Sequence, residues 1–122
     1  MNAAAQEVIK NARMEGLKSL PYANHHGYTD VSPCEVVRVV SDKCLEIRRM
    51  DSERDPNWKP EMVVGGFCAH TVNNHEQKWI ITSNQEYKSF KIRLQKNGAW
   101  KDKYGDTYHL NKEPRRFYDY NF

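Results

Sequence analysis

The clearest pattern along the chain is an alternation of apolar and polar residues in its middle and C-terminal parts. It is cleanest over residues 89–95, where Phe90, Ile92 and Leu94 alternate with charged or polar neighbours. Successive side chains of a strand point to opposite faces, so this segment is predicted to be a strand with one buried face. Alternation or an excess of β-branched residues predicts further strands at residues 34–40, 44–51, 78–82 and 107–111.

The turn signals between these segments indicate antiparallel hairpins. Residues 41–43 (Ser-Asp-Lys) separate two of the predicted strands, and residues 96–98 (Lys-Asn-Gly) follow another. A two-residue Asn-Gly loop would mix buried and exposed faces across the second hairpin. A three-residue loop, with Gly98 in the left-handed conformation, pairs Leu94 with Trp100 and keeps both on one face. We therefore predict the three-residue loop.

The first twenty residues are predicted to form a helical arm. They are rich in Ala, Glu and Lys, which favour helix, and Pro21 ends the pattern. The apolar stripe of this helix is narrow and contains Val8, Ile9 and Leu17. We expect the arm to pack on the sheet or on a second copy of the chain, so a homodimer through the helix is an open alternative.

Two segments carry no regular pattern. Residues 22–32, with adjacent histidines at His25 and His26, are predicted to be a loop. Residues 52–77 are predicted to be a long connection with one short strand at 62–64, because prolines, glycines and charges interrupt them. Trp58 argues against disorder there, since a large ring must find an apolar pocket.

Together these elements predict a mainly β protein, α+β at most. A short N-terminal helix (residues 1–20) precedes a single antiparallel β domain (residues 21–122) of five to seven strands in a curved sheet or small open barrel. A chain of 122 residues has room for one such core. The aromatic residues at 117–122 are expected to pack as an edge strand or clamp, because exposed rings would form a costly apolar patch. No apolar run approaches the roughly 20 residues of a membrane-spanning helix, so no membrane contact is expected.

The distribution of charge adds a candidate partner. Residues 78–122 contain ten Lys or Arg and five Asp or Glu, a net of +5, whereas residues 1–77 contain nine and eleven, a net of −2. A basic C-terminal half fits an anionic partner, although alternating basic residues also form ordinary solvated faces. The residues predicted to contact such a partner are Lys91, Arg93, Arg115 and Arg116, with Lys101 and Lys103 beside them and Tyr104 or Tyr118 as stacking rings.

The cysteines and histidines predict no disulfide, no metal and no cofactor. Cys34 and Cys44 begin successive strands of one hairpin at opposite ends, too far apart to bridge. Reduced thiols are typical of a cytosolic protein. Cys68, His70 and His75 do not follow a standard zinc spacing. Because no carboxylates gather as a cation-dependent nuclease requires, we expect a non-enzymatic protein, with metal-dependent hydrolysis as a second alternative.

The residues best suited to bind a small ligand lie in and beside the connection at 52–77. Amide side chains both donate and accept hydrogen bonds, and aromatic rings offer stacking surfaces. The candidates are Trp58, Phe67, His70, Asn73, Asn74, His75 and Gln77. In the alternative interpretation, the amides only bind the backbone of their own loop.

Several motifs resemble a family of small proteins from tailed phages and prophages. They are DPNWKPE at 55–61, GGF at 65–67 followed by His70 and Asn73, EQKW at 76–79, KNGAW at 96–100 and FYDYNF at 117–122. The similarity runs from about Tyr28 to the end of the chain and implies no catalytic residues. What it implies is a phage accessory protein, acting in the host bacterial cytoplasm, that counters or modifies a host defence system.

This resemblance makes a host protein or a small nucleotide ligand the expected binding partner. The alternative is a nucleic-acid-binding module that uses the basic C-terminal strands. The two hypotheses differ in the region of the chain that makes contact: the connection at 52–77 in the first, the outer face of the last strands in the second.

Overall fold

The structure, a computed structural model, describes residues 3–65 and 68–121 as one helix and ten strands. Helix α1 covers Ala3–Lys18, close to its predicted extent. A single 3-10 turn covers Asn74–Glu76. The strands are β1 Tyr22–His26, β2 Val31–Ser32, β3 Cys34–Ser41, β4 Cys44–Arg54, β5 Met62–Gly65, β6 Cys68–Thr71, β7 Trp79–Ser83, β8 Phe90–Leu94, β9 Trp100–Lys101 and β10 Thr107–Asn111.

Six of the strands form a closed antiparallel barrel in the order β1-β3-β4-β8-β9-β10. Five residue pairs between β10 and β1, from Tyr22↔Asn111 to His26↔Thr107, close it. Closure removes the unpaired edges that an open sheet would expose. The predicted mainly β architecture is therefore confirmed. Strands β2 and β7 extend the sheet beside β1 and β4, and β5 and β6 form a separate hairpin.

The barrel core follows from the alternation along the strands. Leu45, Ile47 and Ile92 are fully buried and form one core cluster with Trp100 and Tyr108. The residues between them on β4 and β8 are charged and face outward. The inward face predicted for residues 89–95 is thus confirmed.

The loop predicted for residues 22–32 was wrong, because β1 occupies its first half and β2 its end. Nothing in the local sequence Tyr-Ala-Asn-His-His favours a strand. Its partner β10 lies more than 80 residues away, and that pairing supplies the backbone hydrogen bonds that the polar residues do not encode. Asn24, 1% exposed, has its amide bound to the backbone of Glu113 and Arg115.

The irregular connection predicted for residues 52–77 was only partly correct. Strand β4 continues to Arg54 by pairing with β7, from Met50↔Ser83 to Arg54↔Trp79. This pair of strands lies outside the barrel, and consecutive residues at one end of each strand are exposed. Both faces of the pair therefore meet water there, so the sequence shows no apolar alternation that would predict a strand. The single short strand predicted at 62–64 is one arm of the β5–β6 hairpin.

The remaining local predictions hold. Gly98 has a φ of 87°, and Leu94 lies opposite Trp100, as the three-residue loop requires. Cys34 and Cys44 are buried and free, and burial raises the pKa of the Cys34 thiol to about 11. Leu17 packs against the barrel core, which anchors the end of an otherwise exposed α1. Among the described residues, none of the helical segments has the length and apolarity needed to cross a bilayer.

Candidate functional site

A groove of about 1130 Å³ runs along β8 and β9 and reaches the loop that joins β9 to β10. Two acidic residues, Asp102 and Asp106, line it. The basic residues that line it are Arg49, Lys88, Lys91, Arg93, Lys101, Lys103 and Arg116. Seven cationic side chains against two carboxylates give the groove a positive potential, which attracts anions. We refer to it below as the basic groove.

Strand register explains why the basic side chains gather. Arg93 on β8 lies directly opposite Lys101 on β9. Lys91 is two residues before Arg93 on the same face, at a spacing of about 7 Å. Lys91 itself faces Glu46 on β4, and Glu46 forms an ion pair with Arg38 at 3.6 Å. The positive charge is therefore most concentrated on the β8–β9 side of the groove.

The loop between β9 and β10 is held by one carboxylate. Asp102 accepts hydrogen bonds from the backbone N–H groups of Tyr104 (2.9 Å) and Asp106 (3.1 Å) and from the hydroxyl of Tyr108 (2.9 Å). Burial, followed by this bond and the charge of Asp102, raises the pKa of Tyr108 well above its ordinary value. The loop thus presents Lys103 and Tyr104 outward. Tyr104 is 79% exposed, and the ammonium of Lys103 lies 5.0 Å from its ring centre.

The second acidic residue of the groove also has a partner in its wall. Asp106 Oδ2 lies 3.7 Å from Nε2 of His25, whose ring packs edge-on against Tyr108 at 5.3 Å. Both carboxylates are therefore engaged with groove residues. Their arrangement leaves the basic side chains as the groups best placed to receive an anion.

The structure brings together three of the four residues predicted to contact an anionic partner. Lys91, Arg93 and Arg116 line the groove, as do the neighbouring Lys101, Lys103 and Tyr104. Arg115 lies elsewhere, beside the stacked rings of His26 and His109, which are 3.9 Å apart. Burial and then the charges of His109 and Arg115 lower the pKa of His26.

The lining residues that the sequence did not point to include Tyr87 and Lys88, in the turn before β8. Tyr87 is 42% exposed, and its hydroxyl donates to Asp51 at 2.8 Å. This turn carries no binding motif. Its only signal is its position, because residues just before a basic strand join the same surface.

Three of the seven predicted ligand-binding residues at 58–77, Asn73, Asn74 and Gln77, are committed to internal hydrogen bonds. Phe67 and the side chain of His70 lie outside the described part of the chain. Asn73 accepts from the backbone N–H of Glu61 and donates to the carbonyl of Lys59, both at 2.7 Å. His75 is exposed and lies near Glu76. Asn73 thus ties the loop to its own backbone, which is the alternative interpretation of the amides.

Asn74 and Gln77 hold the C-terminal segment, defined as residues 117–121. Gln77 accepts from the backbone N–H of Tyr118 at 3.0 Å and donates to the carbonyl of the same residue. Asn74 donates to the Asp119 carboxylate at 3.1 Å and accepts from the N–H of Tyr120 at 3.4 Å. Farther along, the side chain of Asn121 bonds both backbone groups of Thr71 at 2.6 and 2.9 Å. We call this set of contacts the clamp.

Backbone and aromatic contacts complete the clamp. Phe117 and Val31 exchange two backbone hydrogen bonds of 2.9 Å. The ring of Trp58, 6% exposed, lies 5.6 Å from that of Tyr120, which packs edge-on against Tyr118. The predicted burial of Trp58 is confirmed. The predicted packing of the C-terminal rings is confirmed for Phe117 and Tyr120, whereas Tyr118 stays 44% exposed and Phe122 lies outside the described residues.

The side chains that the structure describes, at residues 3–63 and 71–121, form no metal-binding cluster. Their His, Cys, Asp and Glu residues nowhere gather in groups of three that could hold a metal ion. No protein-family model, curated protein or solved structure matches this chain. The basic groove and the clamp therefore have to be interpreted from their own chemistry.

Proposed function

We propose that this protein is a binding module whose basic groove receives a single-stranded nucleic acid. The observation that carries this proposal is the groove itself, with seven cationic side chains against two carboxylates that already have partners. Phosphate contacts by Lys and Arg supply most of the sequence-independent affinity of such proteins.

The aromatic residues support a ligand with bases rather than an inorganic anion. Tyr87 and Tyr104 line the groove beside Lys88 and Lys103 and are exposed. Alternating cations and exposed rings are typical of grooves that bind the backbone of a single strand and stack its bases. A duplex keeps its bases stacked inside, so these rings favour a single strand.

The spread of the cationic side chains along the groove favours a polymer over a mononucleotide. The basic residues of the groove come from β4, β8, β9, two loops and the C-terminal segment's neighbour Arg116. A ligand that used all of them must extend over several nucleotides.

The experiment is a titration of a fluorescein-labelled 12-nucleotide single strand, followed by anisotropy between 50 and 300 mM NaCl. Three or four phosphate contacts predict that log K falls with log salt at a slope of about −2 to −3. Replacing Arg93 and Lys101 together by Glu should weaken binding at least about tenfold at 50 mM salt, because it reverses two phosphate contacts.

The matched control is the double variant Lys112→Glu, Arg115→Glu. It changes the net charge by the same amount outside the groove, and we expect a much smaller loss of affinity. Absence of binding at 50 mM salt would reject the proposal. Equal losses in the two double variants would reject the groove as the binding site.

We also propose the cellular setting that the motif resemblance implies, a phage accessory protein that acts against a defence system in the host bacterial cytoplasm. The motifs alone carry this proposal. Its test is the plating efficiency of a defence-sensitive phage on bacteria that express the wild-type chain or the Arg93→Glu, Lys101→Glu variant. If the wild-type chain restores phage plating and the variant does not, the defence activity depends on the basic groove. If both restore plating, the target is a host protein that binds outside the groove.

A further inference from the structure

We propose that the clamp positions Arg116 in the basic groove, so that Gln77, which does not line the groove, sets part of the affinity for nucleic acid. This inference rests on the proposed function, because it assigns a role to residues that support the same groove. It concerns the residues behind Arg116 rather than those that touch phosphate.

The guanidinium of Arg116 lies over two aromatic rings. Its guanidinium carbon is 5.2 Å from the ring centre of Trp79 and 5.9 Å from that of Tyr118. Its Nη1 donates to the carbonyl of Val31 and the hydroxyl of Ser32, each at 3.1 Å. A guanidinium has five N–H donors in a planar fork, so a side chain held in this way still offers donors to a phosphate.

A single amide holds the ring of Trp79 and the backbone of Tyr118. Oε1 of Gln77 accepts from the indole N–H of Trp79 at 2.9 Å and from the backbone N–H of Tyr118 at 3.0 Å. Its Nε2 donates to the carbonyl of Tyr118 and to Asn74. Removal of this amide should therefore loosen the Trp79 ring and the backbone of Tyr118, the two residues whose rings Arg116 contacts.

Hydrogen bonds also hold the backbone on either side of Arg116. On one side the buried amide of Asn24 accepts from the N–H of Arg115 at 2.9 Å. On the other side Phe117 pairs with Val31, whose carbonyl also accepts from Arg116. The backbone of Arg116 is thus held from both directions, and its side chain is ordered before a ligand arrives.

Ordering a long side chain in advance saves part of the entropy that binding would otherwise lose. For one such side chain this corresponds to about a threefold to tenfold gain in affinity. Loss of the clamp should remove this gain while leaving the other six cationic residues of the groove in place.

The experiment is a double-mutant cycle of Arg116→Ala and Gln77→Ala with the same labelled strand. We expect about a tenfold loss for Arg116→Ala, as for a charged hydrogen bond to phosphate, and about a threefold to tenfold loss for Gln77→Ala. The double variant should bind no more weakly than Arg116→Ala, because Gln77 acts through Arg116.

A second measurement needs no ligand. Because the guanidinium lies over two rings, the side-chain Nε–H signal of Arg116 in a ¹H–¹⁵N NMR spectrum should be shifted from its usual position. Gln77→Ala should move the signal back toward that position. The matched control is His75→Ala, an exposed residue of the same turn, which should change neither the signal nor the affinity. If Gln77→Ala fails to fold, Asn121→Ala tests the same clamp from its other end.

The outcomes separate the two proposals. An unaltered affinity for Gln77→Ala beside a weakened Arg116→Ala overturns the positioning role and leaves the groove intact as the binding site. Losses that add in the double variant also overturn it. A wild-type protein that binds no strand rejects the proposed function, and the NMR signal then reports separately whether the clamp orders Arg116.

Discussion

Arg93 and Lys101 lie directly opposite each other in the antiparallel pair of β8 and β9, so two positive side chains are neighbours on the outer face of the barrel. Like charges at directly opposite positions destabilise a sheet, whereas opposite charges stabilise it. The pair is therefore unfavourable for folding alone. An anionic ligand that lies across both side chains would remove the repulsion, which links the stability of this hairpin to binding.

Lys101→Glu is expected to change stability and binding in opposite directions. The free energy of unfolding should rise by about 0.5 kcal/mol, because an opposite-charge pair replaces a like-charge pair. The affinity for the labelled strand should fall about tenfold at 50 mM salt through loss and reversal of one phosphate contact. Urea denaturation and anisotropy measure the two quantities. Lys112→Glu, outside the groove, should alter both only slightly, and a Lys101→Glu protein with unchanged affinity would contradict the proposed site.

The ion pair between β3 and β4 predicts a dependence of stability on pH. Burial alone would raise the pKa of Glu35, but hydrogen bonds from Ser83 and Arg48, together with the charge of Arg48, outweigh it and leave this pKa below the ordinary value of 4.5. The bonds are 2.6 Å from Ser83 Oγ and 3.1 Å from Arg48 Nε. A carboxyl with a lowered folded pKa adds stability above the unfolded pKa, and that stability is lost as the pH falls through the folded value.

Glu35→Gln should therefore lower the free energy of unfolding by about 1–3 kcal/mol at pH 7. The difference from wild type should begin to shrink as the pH falls below about 4.5, the ordinary pKa that this carboxyl has in the unfolded chain, and should be lost as the pH passes through its lower folded pKa. Urea denaturation at pH 7, 5, 4 and 3 measures this difference. Glu53→Gln, an exposed residue of β4, serves as the control and should show a small difference at each pH. A constant deficit for Glu35→Gln over this range would show that its charge is not what stabilises the sheet.

Two glycine substitutions should shift stability with opposite signs. A Cβ added at Gly98 or at Gly16 meets no described heavy atom within 4 Å, so neither substitution creates a clash there. Gly98 has a φ of 87°, and Gly98→Ala should lower the free energy of unfolding by about 1–2 kcal/mol through the left-handed backbone alone. Gly16 is in α1, and Gly16→Ala should raise helix stability by up to about 1 kcal/mol. Thermal and urea denaturation of the two variants test both signs, and a neutral Gly98→Ala would contradict the assigned turn.

Local sequence was sufficient to predict an element wherever the element's own residues determine its conformation. The strand at Phe90–Leu94 alternates because one face meets the core and the other meets water. Gly98 marks its turn because other residues resist a positive φ. The C-terminal rings could be expected to pack because leaving them exposed is unfavourable. These features depend on neighbours within a few residues, so they could be predicted without knowing the fold.

The candidate site was predictable only in part, because some of its residues are brought together by contacts between distant parts of the chain. Lys91 and Arg93 could be placed on one exposed face from alternation alone. Arg116 joins them in the groove, whereas its neighbour Arg115 does not. This difference depends on the path of the chain after β10, which the buried amide of Asn24 directs. From the sequence alone, the amide of Gln77 is equally suited to bind a ligand or a backbone. Only the structure shows that it binds the backbone of the C-terminal segment.

The sequence by itself determined that this chain forms a helix followed by amphipathic antiparallel strands, and that its C-terminal half is basic. Only the tertiary structure decided that β1, polar and without a strand pattern, closes a barrel with β10, and that the basic residues of four separate segments form one groove. The physical reason is the range of the interactions. Side-chain periodicity and turn conformation act over a few residues, whereas β1–β10 pairing and the clamp join residues 40 to 90 positions apart and exist only once the core has brought them together.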